Sequence, residues 1–326
     1  MKEQLITKKI LNWYDLNKRS LPWRKNVSIQ KKQYYTLVSE FMLQQTQVVT
    51  VVPYFNKFIK EIPNLKSLAK ISDKKLLKFW EGLGYYSRAK NLKKTAQFVI
   101  KKFRGKLPSN FEDLLSLPGI GNYTASAILA IAFNKPYIPL DGNIERILKR
   151  YLYLKKYKEI QKDNLIKKKF IFGISSRSSD YAQALMELGA LICKPKSPAC
   201  DQCPISKNCK SLGKKDFNIT KNSKKNINKY FLLKVYKKDR RYLLIKNTKF
   251  NFLKNLTIFP MEELSKPKNF NKNLNFKMSN MNMNIKIKYL KDNGKFQSPL
   301  WINKKKLDNY MLPSFTKKIV KYLERN

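Results

Sequence analysis

Two carboxyl groups in this sequence have neighbours that suit them to chemistry. Glu40 lies in Val38-Ser39-Glu40-Phe41-Met42-Leu43-Gln44-Gln45-Thr46-Gln47-Val48. On a helix it sits beside Leu37, Phe41 and Gln44. Apolar walls raise a carboxyl's pKa, so that it stays protonated and serves as an acid. An exposed or ion-paired glutamate is the commoner fate of such a residue. Asp141, in Pro139-Leu140-Asp141-Gly142-Asn143, reads first as the N-cap of a helix over Ile144–Tyr153. The chain has no histidine. That excludes a Ser-His-Asp triad, a His-ligated zinc and any imidazole base.

All four cysteines fall within 17 residues, as Cys193, Cys200, Cys203 and Cys209 in the pattern C-x6-C-x2-C-x5-C. Any metal they hold is bound by thiolates alone. Structural zinc more typically shows two C-x2-C pairs, and only one is present. Spacing therefore favours an iron–sulfur cluster, with zinc as the alternative. Leu117-Pro118-Gly119-Ile120-Gly121 precedes Asn122-Tyr123-Thr124-Ala125-Ser126, a tight turn entering a helix of small residues. Gly119 and Gly121 leave backbone N–H groups open to a phosphate, with the helix dipole assisting. Read alone, the same turn is a helix–helix connection.

These segments together resemble the endonuclease III and MutY-type DNA glycosylases of the helix-hairpin-helix superfamily. The cysteine loop after Met186-Glu187-Leu188-Gly189-Ala190 resembles that family's [4Fe–4S] loop, which presents cations to DNA; Lys194, Lys196 and Lys207 stand there. LPGIG resembles the hairpin, and Asp141 matches the carboxylate that faces the deoxyribose. SE-x-MLQQTQV is similar to the signature of the adenine-specific branch. In that branch Glu40 matches the acid that protonates the purine, and Gln45 a residue inserted into the base stack. Leu21-Pro22-Trp23-Arg24 resembles a wall of the adenine pocket, with Gln183 and Met186 at further matching positions. Gly82-Leu83-Gly84-Tyr85-Tyr86 matches a loop whose Tyr85 wedges beside the lesion base, easing extrusion of the target nucleotide. Tyr123 stands where lyases of the superfamily carry a Schiff-base lysine. The resemblance thus implies a monofunctional glycosylase in which Tyr123 packs on the sugar.

Several helices must position these groups. Apolar residues recur at helical spacing in Ile6–Tyr14, Thr36–Val52, Leu76–Trp80, Ala89–Phe103, Tyr123–Phe133, Ile144–Tyr153 and Tyr181–Cys193. Composition then changes. Residues 214–228 read as a linker, being rich in Lys, Asn and Ser. Tyr230–Tyr236 and Tyr242–Ile245 suit a hairpin across Lys237–Arg241, Ile285–Tyr289 a third strand, and Phe315–Leu323 a closing helix. The expected fold is mainly α: a helix-hairpin-helix glycosylase region over 1–213 with its cluster loop at 193–209, and a smaller α+β domain over 229–326. That domain resembles the Nudix-like module with which MutY-type enzymes read 8-oxoguanine. The module's Phe-Ser-His loop falls at Met278-Ser279-Asn280, where only Ser279 is kept, so weaker discrimination of 8-oxoG·A from G·A is expected.

The 69 Lys and Arg against 22 Asp and Glu give a formal charge of +47 and favour a polyanionic partner. Lysine supplies most of it, alongside abundant Asn and Ile, a balance that coding drift toward A/T also produces. No apolar run reaches membrane-spanning length and no signal-peptide core opens the chain. A cytoplasmic monomer, associated with the nucleoid through double-stranded DNA containing mispaired adenine, is the expectation. The alternatives are an endonuclease III-like glycosylase/lyase on oxidised pyrimidines and a non-catalytic iron–sulfur DNA-binding protein.

Overall fold

The computed structural model describes residues 2–218, 226–265, 270–278, 280–291, 296, 299–303, 307, 310 and 312–325. Along the chain run α1 (Lys2–Asn17), α2 (Ile29–Leu43), α3 (Val48–Glu61), α4 (Leu65–Lys70), α5 (Asp73–Trp80), α6 (Ser87–Phe103) and α7 (Phe111–Leu115). Next come α8 (Asn122–Phe133), α9 (Gly142–Leu152), α10 (Tyr157–Ile160), α11 (Lys162–Lys168), α12 (Ser178–Glu187) and α13 (Lys210–Gly213). The strands are β1 (Ile227–Lys238), β2 (Arg241–Lys246), β3 (Thr257–Ile258), β4 (Met261–Leu264), β5 (Leu274–Met278), β6 (Met281–Leu290) and β7 (Leu300–Asn303), and α14 (Ser314–Leu323) follows. Two compact units result, one of residues 1–71 with 88–221, the other of 72–87 with 222–326.

The first unit is helical. In α2 every residue from Thr36 to Met42 is buried. The first turn, with Gln30 and Lys31, is left to solvent, while the C-terminal half is enclosed and Glu40 is buried with its neighbours. Apolar faces of α1, α9 and α12 meet in a core around Ile10, Tyr14, Leu148, Leu185 and Leu188. The helix expected over Thr36–Val52 is in fact two. α2 ends at Leu43 and α3 starts at Val48, with Gln45 between them in a left-handed conformation, φ 57°. No Gly or Pro marks this break, so apolar spacing ran straight through it. The helix expected over Tyr181–Cys193 ends its α-helical part at Glu187 and continues as a π-helical turn, Leu188–Ile192.

In the second unit β1 and β2 form the expected hairpin. Asp239 and Arg240 connect them with φ of 46° and 59°, the paired left-handed residues of a type I′ turn. β6 contains the third expected strand and runs parallel to β1 from Ile227↔Met281 to Tyr236↔Leu290. The sheet order is β3-β2-β1-β6-β5, with β4 on β1 and β7 on β2. α14 covers one face through Phe315, Ile319, Val320 and Leu323, against Phe231, Leu233 and Ile285. Ser279 lies outside the described residues, as does part of the 214–228 stretch. No described helix is long and apolar enough to cross a membrane.

Candidate active site

Glu40, near the C-terminal end of α2, is only 5% exposed. Burial pushes its carboxyl up to about 7, helped by the negative charge of Asp141; a hydrogen bond from Tyr123 and the charge of Arg24 oppose the rise. Its Oε2 has no partner. Asp141 caps α9. Its Oδ1 accepts from the backbone N–H groups of Asn143 (2.9 Å) and Ile144 (2.7 Å), and Oδ2 accepts from Asn143 Nδ2 (3.1 Å). Burial raises its pKa while those bonds hold it back. One cavity of about 940 Å³ is lined by both carboxylates and Tyr123. It is an acid with an open oxygen beside a carboxylate fixed by backbone amides, an arrangement able to protonate one side of a bond and steady a cation on the other.

The same cavity gathers Leu21, Trp23, Arg24, Gln45, Gln183 and Met186. Trp23 is held edge-on against Phe55, with ring centroids 5.3 Å apart. Gln183 is buried, its Nε2 donating to Ser179 O at 3.0 Å. Sequence reasoning missed Glu187, which is fully buried at this wall. It accepts from Arg19 (2.8 and 3.1 Å) and from Arg24 Nη1 (2.7 Å). Arg24 Nε remains buried and without a partner.

Behind Asp141 lies a second feature that spacing did not reveal. Arg146 Nη2 donates to Asn143 Oδ1 (2.9 Å) and Gly189 O (2.6 Å), and its Nε donates to Cys193 O (2.7 Å). The N-terminal cap of α9 is thereby tied to the π-helical turn Leu188–Ile192 and to Cys193. Gly189 is required there, because a Cβ would stand 2.5 Å from Asn143 Cβ. The signals available in the sequence were an Asn two residues and an Arg five residues beyond Asp141.

Gly119 and Gly121 lie in the turn between α7 and α8, outside the cavity. Gly119 has φ +81°, and a Cβ on it would meet Asn91 Cβ at 2.8 Å and Phe41 at 3.0 Å. Thr95 Oγ1 donates to Pro118 O at 2.8 Å and fixes the turn. Gly121, the N-cap of α8, has open space beside it and no side-chain cap over the first N–H groups. Tyr85 belongs to the other unit. It is 47% exposed with φ 47° and lines a separate cavity of about 880 Å³ with Phe250, Phe252, Phe276, Met278 and Phe315.

The four cysteines are free, half-buried thiols. Each of Cys200, Cys203 and Cys209 is raised first by burial and then by its companions' charges, Cys203 to about 11. Arg150 Nη1 approaches Cys193 Sγ at 3.5 Å and also donates to Lys194 O (2.6 Å), while Arg150 Nη2 donates to Pro195 O (2.8 Å). Among the described residues no His, Cys, Asp and Glu side chains close into a shell around a single metal ion.

Residues 38–169 match the family model of the HhH-GPD superfamily base excision DNA repair proteins. The adenine DNA glycosylase of Buchnera aphidicola subsp. Schizaphis graminum is 39% identical over 258 residues, covering 77% of this chain and 73% of that protein. That of Buchnera aphidicola subsp. Baizongia pistaciae is 42% identical over 262 residues, with 77% and 72% covered. The chain belongs to the adenine DNA glycosylase family. The human member is 38% identical over 213 residues, spanning 62% of this chain and 38% of its own length. Among solved structures, a thermostable thymine-DNA glycosylase matches with a TM-score of 0.57 at 27% identity, over 65% of this chain and 97% of its own. An endonuclease III–DNA complex shares the fold, with a TM-score of 0.54 at 20% identity, over 66% of this chain and 98% of its own. For this adenine DNA glycosylase family member, the family match spans the segment that holds both carboxylates.

Proposed function

We propose that this chain hydrolyses the N-glycosidic bond of adenine mispaired with 8-oxoguanine or guanine in duplex DNA, leaving an abasic site. The observation that carries the reading is Glu40 and Asp141 lining one cavity, the first with an unpartnered oxygen and a pKa near neutrality. Glu40 gives its proton to a ring nitrogen of the extruded adenine, making the base a leaving group. As the bond breaks, positive charge grows on the deoxyribose, and Asp141 stabilises it more in the transition state than in the ground state. Water adds to the sugar, and the Glu40 carboxylate takes up a proton from it. Adenine offers an amino donor and ring acceptors along its edge. Arg24 Nε is a free donor at the wall. Glu187 spends three acceptor positions on arginines, out of about four that a carboxylate has.

Tyr123 has no amine to form a Schiff base, so borohydride traps no covalent DNA adduct in quantity; abundant adduct would favour a lyase. The donor set of four half-buried thiols, near enough for their charges to act on one another and with no imidazole in the chain, fits a [4Fe–4S] cluster on Cys193, Cys200, Cys203 and Cys209. A cluster held there would close the loop structurally, and Arg150 and Arg146, which contact Cys193 and the backbone beside it, would hold its first cysteine in place. In the second unit we read residues 229–326 as a diverged Nudix-like module. Its Tyr85-bearing cavity is walled by Phe and Met side chains and rimmed by Lys249, Lys254, Lys277 and Lys318, which suits a base and its flanking phosphates.

The deciding experiment is single-turnover adenine release from 8-oxoG·A, G·A and C·G duplexes. Release from both mispairs with none from C·G is expected, at rates differing little between the two mispairs. No release from either refutes the enzyme reading. A large preference for 8-oxoG·A refutes only the weakened discrimination.

A further inference from the structure

Gln45 occupies the left-handed region, where a side-chain-bearing residue stays only if its surroundings hold it. The holding group is Arg88 at the start of α6, 6% exposed. Its Nη1 donates to Phe41 O (3.2 Å), to Met42 O (2.8 Å) and to Gln44 O, and its Nη2 donates to Thr46 Oγ1 (3.1 Å). One guanidinium therefore grips the residues on both sides of Gln45. It also satisfies carbonyls that the end of α2 would leave orphaned, and its charge complements the negative pole of that helix. Gln45 itself is exposed at the edge of the cavity that contains Glu40.

We infer that Arg88 is a positioning residue that clamps the Gln44–Thr46 turn and so presents the Gln45 amide to the base stack. The inference rests on the reading of Gln45 as the residue that enters the stack. Lysine would bring the charge without the planar fork, so it restores the helix-end interaction and not the two-sided grip.

The test uses the full chain with Arg88→Lys, Arg88→Ala, Gln45→Ala and the Arg88→Ala/Gln45→Ala pair. Two quantities are read: affinity for an 8-oxoG·A duplex, and single-turnover adenine release from that duplex and from the same strand with the adenine in an unpaired bubble. We expect both Arg88 variants to lose roughly ten- to a hundredfold in duplex affinity and release, with Lys losing less. Release from the bubble, where no stack must open, should stay within about twofold. The double variant should be no worse than the worse single one. Wild-type duplex behaviour in Arg88→Lys and Arg88→Ala overturns the clamp, as do equal losses on duplex and bubble or additive losses in the pair. If Arg88→Ala melts early, Arg88→Lys alone decides. If Gln45→Ala leaves duplex affinity and release unchanged, the reading of Gln45 fails and takes the clamp with it. If Gln45→Ala is impaired and the Arg88 variants are not, the clamp alone fails.

Discussion

A buried carboxyl with a raised pKa makes a statement about stability as well as about catalysis. Glu40 binds its proton more tightly in the folded chain than in the unfolded one, about 7 against 4.5. Between those values the unfolded state releases the proton first, so stability falls as pH rises. Above about pH 7 the full cost is present, up to ~3 kcal/mol. Glu40→Gln removes it. The variant should melt like the wild type at pH 5 and above it at pH 8, while single-turnover adenine release drops by roughly 10²–10⁴-fold below pH 7, where the wild type keeps its proton donor. Wild-type activity should decline as pH climbs through about 7, because the proton donor is lost. A variant melting below wild type at pH 8 would show that burial does not strain this site. Asp141 admits a cleaner separation of roles. Asparagine caps a helix about as well as aspartate. Asp141→Asn should therefore keep the melting temperature within a few degrees and lose release by roughly 10²-fold or more. Parallel loss of both would reduce Asp141 to a cap.

At the level of elements, the hairpin between α7 and α8 contains two glycines with different jobs. Gly119 needs its left-handed backbone and its lack of a Cβ, since Asn91 and Phe41 stand against it. Gly121 has neither need. Gly119→Ala should cost about 1–3 kcal/mol in denaturant titration. Gly121→Ala should cost little stability and should weaken duplex binding, because the added methyl would take up open space at the uncapped start of α8. Equal stability losses at both would contradict this division. Sequence could single out LPGIG as a turn yet not rank its glycines, because what they touch comes from α2 and α6. The same limit explains the other gaps. Asp141 as N-cap was legible, since Asp followed by a helical period is a local signal. Glu187 was not, because its arginines are more than 160 residues away. The break at Gln45 was invisible, because the side chain that stabilises it is over 40 residues downstream. Four of the seven strands among the described residues, β3, β4, β5 and β7, escaped period-2 reading, since at two to five residues each they rest on pairing with longer neighbours.

For the whole molecule the charge of +47 acts in two opposite directions. Like charges repel, so the compact state is destabilised by its own field, and salt relieves that repulsion. Binding to duplex DNA draws on the same field, and salt opposes it by removing the gain from released counterions. Raising salt should therefore raise the melting temperature of the free protein while lowering its affinity for DNA. The slope of log affinity against log salt counts the phosphates neutralised, at about 0.9 for each. A slope corresponding to roughly six to ten contacts would cost about 10³–10⁵ in affinity between 50 and 200 mM salt. Most of the 69 cations would then face solvent, where their number reflects composition, and single-lysine substitutions would leave the slope unchanged except along the DNA footprint. Two measurements, a salt series of thermal melts and a salt series of duplex affinities, separate the two effects. A melting temperature that stays flat or falls with salt would mean that ion pairs such as Arg177 with Asp15 and Asp180 outweigh the net repulsion, and that the excess charge has been accommodated locally.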